Sequence, residues 1–165
     1  MGAGKTTVGR LLARRLKLRF YDSDHEIERR CGVKVPLIFE IEGEPGFRAR
    51  EQQIIAELCA LHGIVLATGG GAVLDAENRG RLAAGGTVVY LNAHPEDLYE
   101  RVRHDRNRPL LATADPLARL KALHAERDAL YRAVADLVID TGAQSVQALA
   151  AELAARLEER WKASA

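Results

Sequence analysis

Residues 2–12, GAGKTTVGRLL, carry the reading from which the rest of the chain follows. Gly2, Ala3, Gly4, Lys5 and Thr6 match the closing positions of the phosphate-binding pattern G-x-x-x-x-G-K-[ST]. Glycines in such a loop let consecutive backbone N–H groups converge on phosphate oxygens, and the helix that follows adds the partial positive charge of its N-terminus. Lys5 then reaches the outer phosphates, and Thr6 can bind magnesium. A glycine-rich turn ahead of any helix would look similar, with the lysine there by chance. What separates the two is the run Val8, Leu11, Leu12 and Leu16, whose helical spacing starts at the loop itself. The motif specifies nucleotide phosphate and leaves the reaction open.

Beyond that helix, "LRFYDSD" reads as a short strand ending in acids, and "HEIERRCG" as a helix stopped by Gly32. Residues 33–63 should hold one short and one long helix, ending at Gly63. "IVLAT" is a buried-type strand that runs into Gly69, Gly70 and Gly71, and "TVVYL" is another, bounded by Gly85, Gly86 and Asn92. The pattern assigns no element between Gly71 and Gly85. A helix starts at Pro95, a residue favoured in the first turn. "RNRPLLATADP" reads as a mobile loop. A long helix to about Ala135, a strand "LVID" and a helix opened by Ser145, with Val146, Leu149, Leu153 and Leu157 on one face, close the chain. Strands that alternate with helices and are apolar throughout predict an α/β fold with a parallel sheet covered on both faces.

A chain of 165 residues fits one domain around one core. With 47% hydrophobic and 28% charged residues it has the composition of a globular protein, and a net charge of +1 argues against a large nucleic-acid surface. No apolar run approaches the ~20 residues that cross a bilayer, and the N-terminus shows no signal-like segment, so neither membrane nor nucleic acid is an expected partner and the cytoplasm is the default location. Cys31 and Cys59 lie far apart without CxxC spacing, and the histidines form no metal-ligand pattern.

Asp22 and Asp24 sit just beyond a strand, where open parallel sheets gather ligands at their carboxyl ends. Two acids there could serve a metal and a hydroxyl-bearing substrate, or simply cap the next helix. The glycines of "TGGGA" would bring backbone close to a ligand, or form a flexible turn. Arg48 in "GFRARE" lies on a helix that otherwise reads as a solvated charged face.

Taken together, "GAGKTT", "DSDHEIE", "IFEIEGEPGFRARE", "LATGGGAV", "RNRPLL" and "ERDALYRAVAD" resemble the shikimate kinase family over essentially the whole chain. The resemblance implies a P-loop kinase with a three-layer fold, a single domain over 1–165, a substrate-binding subregion over 24–62 and a lid over 103–115. It implies ATP and Mg2+, a monomer, and phosphorylation of the 3-hydroxyl of shikimate on the route to chorismate and the aromatic amino acids. Gly2, Ala3, Gly4, Lys5, Thr6 and Thr7 would then hold the phosphates, and Thr6 and Asp22 the metal. Asp24 would orient the attacking hydroxyl; near an ordinary pKa of ~3.9 an aspartate is a feeble base, which favours a positioning role. Arg48 and Arg127 match arginines that take the substrate carboxylate, for which a planar guanidinium suits better than a lysine. Gly69, Gly70 and Gly71 would face the substrate, with N–H groups of Gly70 and Gly71 as donors. Phe39 and Phe47 would wall its ring, Arg108 would be the lid arginine on the transferring phosphoryl group, and Arg101 with Gln144 would flank the adenine.

The resemblance also places the first glycine of the phosphate loop and the family's first strand upstream of Met1, between the strands matching "IVLAT" and "TVVYL". The expectation is therefore a chain lacking its central strand, from an internal methionine read as a start or from truncation. Four or five buried side chains in that strand would be worth on the order of 6 to 15 kcal/mol. A whole domain is stable by only ~5 to 15 kcal/mol. The residues alone leave open a kinase of gluconate or of a nucleoside monophosphate, and a non-catalytic ATP-binding fragment.

Overall fold

The computed structural model describes residues 2–105, 108–142 and 144–164. Among them four strands stand where the apolar runs lie: β1 (Arg19–Asp22), β2 (Ile64–Ala67), β3 (Val89–Asn92) and β4 (Leu137–Asp140). β1 pairs with β2 in parallel, Arg19 opposite Ile64 and Asp22 opposite Ala67; β3 pairs with β4 in parallel, Val89 opposite Leu137 and Asn92 opposite Asp140. Seven helices alternate with these strands: α1 (Lys5–Leu16), α2 (Ser23–Cys31), α3 (Val35–Cys59), α4 (Ala76–Gly85), α5 (Pro95–Val102), α6 (Pro116–Val134) and α7 (Val146–Ser164).

Local chemistry explains most of the boundaries. Gly4, at φ 80° and ψ 19°, turns the chain into α1. Asp115 caps α6 by accepting from the Ala118 N–H, and the Ser145 hydroxyl accepts from the Ala148 N–H at the start of α7. The segment expected to hold a short and a long helix does so: α3 consists of two helices that meet at a kink at Gly43. Its φ of 69° with ψ of 179° is a conformation open to glycine alone. α3 stops at Cys59, before Gly63. α4 was not expected: Asp75 accepts from the Asn78 N–H at 2.8 Å, and the buried Asn78 amide donates to the Ala72 carbonyl at 3.2 Å. Within "RNRPLLATADP" Pro109–Leu111 forms a 3-10 turn with Leu111 buried; Arg106 and Asn107 lie outside the described residues.

Three apolar clusters hold these elements. Val8 and Leu12 of α1 meet Ile139 of β4 and Leu149, Leu153 and Leu157 of α7. Ala3 joins Leu98, Val102, Leu111, Leu120 and Leu123 around α5 and α6, and Ile27, Ile38, Phe47, Ile54 and Leu58 join α2 to α3. Between the two strand pairs lies a cavity of about 580 Å³, bounded by Val65 and Leu66 of β2, Val89 and Leu91 of β3, and Val8, Leu12, Leu153 and Leu157 of the helices. Among the described residues neither β2 nor β3 has a ladder partner on its second edge. This is the place that the resemblance assigns to the central strand.

Candidate active site

The chain ends of β1 and β2 and the N-terminus of α1 converge on a second cavity, of about 310 Å³. The phosphate loop forms one wall. Gly2 adopts φ 73° and its missing side chain lets α5 approach: a Cβ there would fall 2.8 Å from Val102 Cγ1 and 3.1 Å from the Leu98 carbonyl oxygen. Lys5 projects from the first turn of α1 into the cavity. Burial pushes its pKa below the usual lysine value; Asp24 and Asp22 oppose this and Arg108 reinforces it.

Opposite the loop stand the two acids, and the choice between cap and functional site dissolves at Asp22. One of its oxygens accepts from the Asp24 and His25 N–H groups and so caps α2. The other accepts from the Thr6 hydroxyl at 2.6 Å. The Thr6 and Asp22 oxygens therefore meet at one point beside Lys5, a donor set suited to magnesium, which takes one or two carboxylates and completes its shell with water and phosphate. Among the described residues there is no group of three or more His, Cys, Asp or Glu able to hold a metal as a protein cage.

Asp24 departs from the expected ordinary carboxylate. Burial and the neighbouring Asp22 push its pKa up, against the pull of Lys5, Arg108 and Arg48. Its Oδ1 is buried without a protein partner among the described residues. Such an oxygen needs a ligand hydroxyl or water.

The "GFRARE" helix is also not the solvated face its charges suggest. Arg48 donates to Glu51 at 2.7 Å and to Glu44 at 2.9 Å, and Glu51 is only 1% exposed. Glu51 carries a pKa raised by burial and lowered in part by Arg48. Both Glu51 Oε1 and Asp24 Oδ1 would lie 2.7 Å from a Cβ at Gly69, whose N–H donates to the buried Ser23 hydroxyl at 3.0 Å. Gly69 and Gly71 of "TGGG" are thus needed to make room for the site's own side chains, Asp24 and Glu51 at the first and Arg48 at the second. Phe39 and Phe47 stack at 4.8 Å on the remaining wall.

Most of the expected residues meet here: Gly2, Gly4, Lys5, Thr6, Thr7, Asp22, Asp24, Phe39, Phe47, Arg48, Gly69, Gly70, Gly71, Arg101 and Arg108 all line the smaller cavity. Arg101 donates to the Thr141 carbonyl at 3.0 Å, and Arg108 to Asp105 at 2.9 Å. Three do not line it. Ala3 is packed in the α5–α6 cluster and belongs to the loop through its backbone. Gln144 is exposed and donates to Glu152 at 3.2 Å. Arg127, 4% exposed, lines the larger cavity, which shares Lys5, Thr68, Gly69 and Gly70 with the smaller one. Glu51, Ser23 and Tyr131 were not expected; the only signal for Glu51 was its place three residues after Arg48, where a helix brings side chains together.

A phosphate loop facing a carboxylate and a guanidinium across one small cavity defines a phosphotransferase that acts on a small acceptor. The chain belongs to the shikimate kinase family, whose model matches residues 1–158. It is 65% identical over 158 residues to a shikimate kinase of Ralstonia nicotianae, covering 96% of this chain and 83% of that one. To a shikimate kinase of Thiobacillus denitrificans it is 60% identical, covering 96% and 86%. Among solved structures, a shikimate kinase from Acinetobacter baumannii in complex with shikimate superposes with a TM-score of 0.95 at 48% identity, covering 97% of this chain and 89% of that one. The Aquifex aeolicus shikimate kinase gives 0.84 at 34% identity, covering 97% and 93%. The α/β fold with parallel strands and covering helices is the fold of these relatives.

Proposed function

We propose that this chain transfers the γ-phosphoryl group of ATP to the 3-hydroxyl of shikimate, with Mg2+ held by Thr6 and Asp22. The observation that carries the reading is that Lys5 and Asp24 line one cavity, close enough for each to shift the other's ionisation. Magnesium supplies charge neutralisation for the outer phosphates. The loop N–H groups from Gly2 to Thr7 and the Lys5 ammonium bind those phosphates from the α1 side, and Arg101 lies beyond them toward the adenine. Gln144, turned to solvent, gives that face no cation.

Asp24 holds the acceptor hydroxyl in line. Its raised pKa makes it a better proton acceptor late in the transfer than an ordinary aspartate, while the loose transition state still asks mainly for orientation and charge. Arg48, fixed by Glu51 and Glu44, offers a planar donor pair to the substrate carboxylate. Arg127, in the adjoining cavity and close enough for its charge to act on Glu51, is the second guanidinium. Phe39 and Phe47 exclude water from the ring's face, and Arg108 stabilises the moving phosphoryl group. Among the described residues no helix is long and apolar enough to cross a membrane. Shikimate-dependent ADP release, measured beside gluconate and AMP, tests the reading: release with shikimate alone is expected, and release with either rival alone, or ATP binding without turnover, overturns it.

A further inference from the structure

Tyr131 lies outside the site cavity and is bonded to its wall at Gly70. It follows Arg127 by one turn of α6, so both side chains leave the same face of the helix. Its hydroxyl donates to the Gly70 carbonyl. Its ring stacks on Tyr90 of β3 with centroids 4.8 Å apart and planes at 31°. Tyr90 is held in turn: its hydroxyl donates to Asp128 at 2.9 Å, and Asp128 accepts from Arg132 at 2.8 Å. The phenol is therefore fixed in place, and burial, opposed by Arg127, pushes its pKa up so that the donating proton stays on.

No peptide bond among the described residues is cis. In a trans peptide the C=O of one residue and the N–H of the next point in opposite directions. Tyr131 lines the larger cavity and Gly71 the smaller one. Holding the Gly70 carbonyl toward Tyr131 thus turns the Gly71 N–H the other way, to the side of Arg48 and Asp24. That N–H has no protein partner among the described residues. Gly70 has no Cβ to restrict its backbone, so nothing in its own residue type fixes this peptide plane.

We propose that Tyr131 is a positioning residue for the substrate: by holding the Gly70 carbonyl it aims the Gly71 N–H into the site cavity as a donor to an oxygen of the acceptor molecule. The inference rests on the shikimate kinase reading and adds to it the group that sets the glycine loop. Tyr131→Phe keeps the ring stack and removes the hydroxyl, and with it both the bond to Gly70 and the interaction with Arg127, which the Gly71 amide signal tells apart. It should raise the KM for shikimate about three- to tenfold, the worth of one neutral hydrogen bond, and leave kcat and the KM for ATP within about twofold. In 15N-labelled protein the Gly71 amide should shift on shikimate addition in the wild type and much less in the variant. Tyr90→Phe, which loses a hydroxyl of the same network but not the bond to Gly70, should keep the wild-type KM; an equal rise there overturns the inference as a packing effect. Wild-type turnover with an unchanged KM in Tyr131→Phe overturns this inference alone, whereas a wild-type chain without shikimate-dependent turnover overturns the proposed function and this inference with it.

Discussion

The Arg48 guanidinium occupies the space that a side chain at Gly71 would need: a Cβ there would lie 2.3 Å from both of its terminal nitrogens. Gly71 has an ordinary φ of −92°, so the constraint is one of space and not of backbone conformation. Gly71→Ala should therefore fold normally but displace Arg48 from its bonds to Glu51 and Glu44. The expected result is a KM for shikimate raised about tenfold with the KM for ATP unchanged, since a hydrogen bond to a charged group is worth ~1.5 to 3 kcal/mol. Steady-state kinetics in both substrates checks it, and equal changes in the two would detach Arg48 from the acceptor.

Arg127 is a buried guanidinium whose charge acts on Glu51 of the site, and its Nε has no partner among the described residues. A buried charge left partly unsatisfied is costly unless a ligand completes it. Arg127→Ala should raise the KM for shikimate by about tenfold or more and that for ATP little. Isothermal titration with each substrate separates the two effects.

Arg108 is half-buried at the cavity rim, and its charge acts on both Lys5 and Asp24. An arginine so placed belongs to the transition state more than to the bound substrates. Arg108→Ala should lower kcat by about 10³ or more with little change in shikimate affinity, the pattern of a phosphoryl-stabilising arginine. Single-turnover kinetics with a parallel binding titration makes the distinction; a kcat near that of the wild type would exclude the residue from the chemistry.

What the sequence made legible follows the range of each signal. The phosphate loop, α1 and the four strands depend on neighbours in the chain, and each lies where the spacing puts it. α4 was local too, with Asp75 capping and Glu77 in its first turn, but its weak apolar periodicity hid it. Glu51 could not be recognised, because charges at 48, 50 and 51 read as a wet face until α2 and the glycine loop close over one of them. Tyr131 and Ser23 act through backbone groups of residues far along the chain, Gly70 and Gly69, a pairing that no spacing rule encodes.

Glu51 also sets a pH dependence. Its folded-state pKa is raised, so the folded chain takes up this proton before an unfolded chain would. Its contribution to stability is accordingly greatest below the ordinary carboxyl value and declines as pH rises from there to the raised value. The ionised form is the one that holds Arg48. As pH falls through the raised pKa, the KM for shikimate should climb, at a pH above that of an ordinary glutamate. Glu51→Gln should show, at a pH above the raised pKa, a KM higher than that of the wild type, and a flat acid limb; a KM–pH profile identical to the wild type would mean that Arg48 is fixed by Glu44 alone.

The cavity between the strand pairs yields the largest expected effect on stability. Val65 and Leu66 face it from one strand and Val89 and Leu91 from another, and both second edges lack ladder partners among the described residues. Unpaired strand edges beside apolar walls suit an extended apolar segment, which would satisfy the backbone groups and fill the volume at once. A version of the chain with about five to six β-branched residues and a short glycine linker joined ahead of Met1 should gain several buried side chains, each worth ~1.5 to 3 kcal/mol. At about 2 to 4 °C per kcal/mol for a domain of this size, its Tm should rise by at least about 10 °C. Shikimate-dependent turnover should rise with it, because the same segment would brace the phosphate loop. Circular dichroism melts of the two versions decide the matter: equal Tm values would mean that the added segment does not enter the space between β2 and β3.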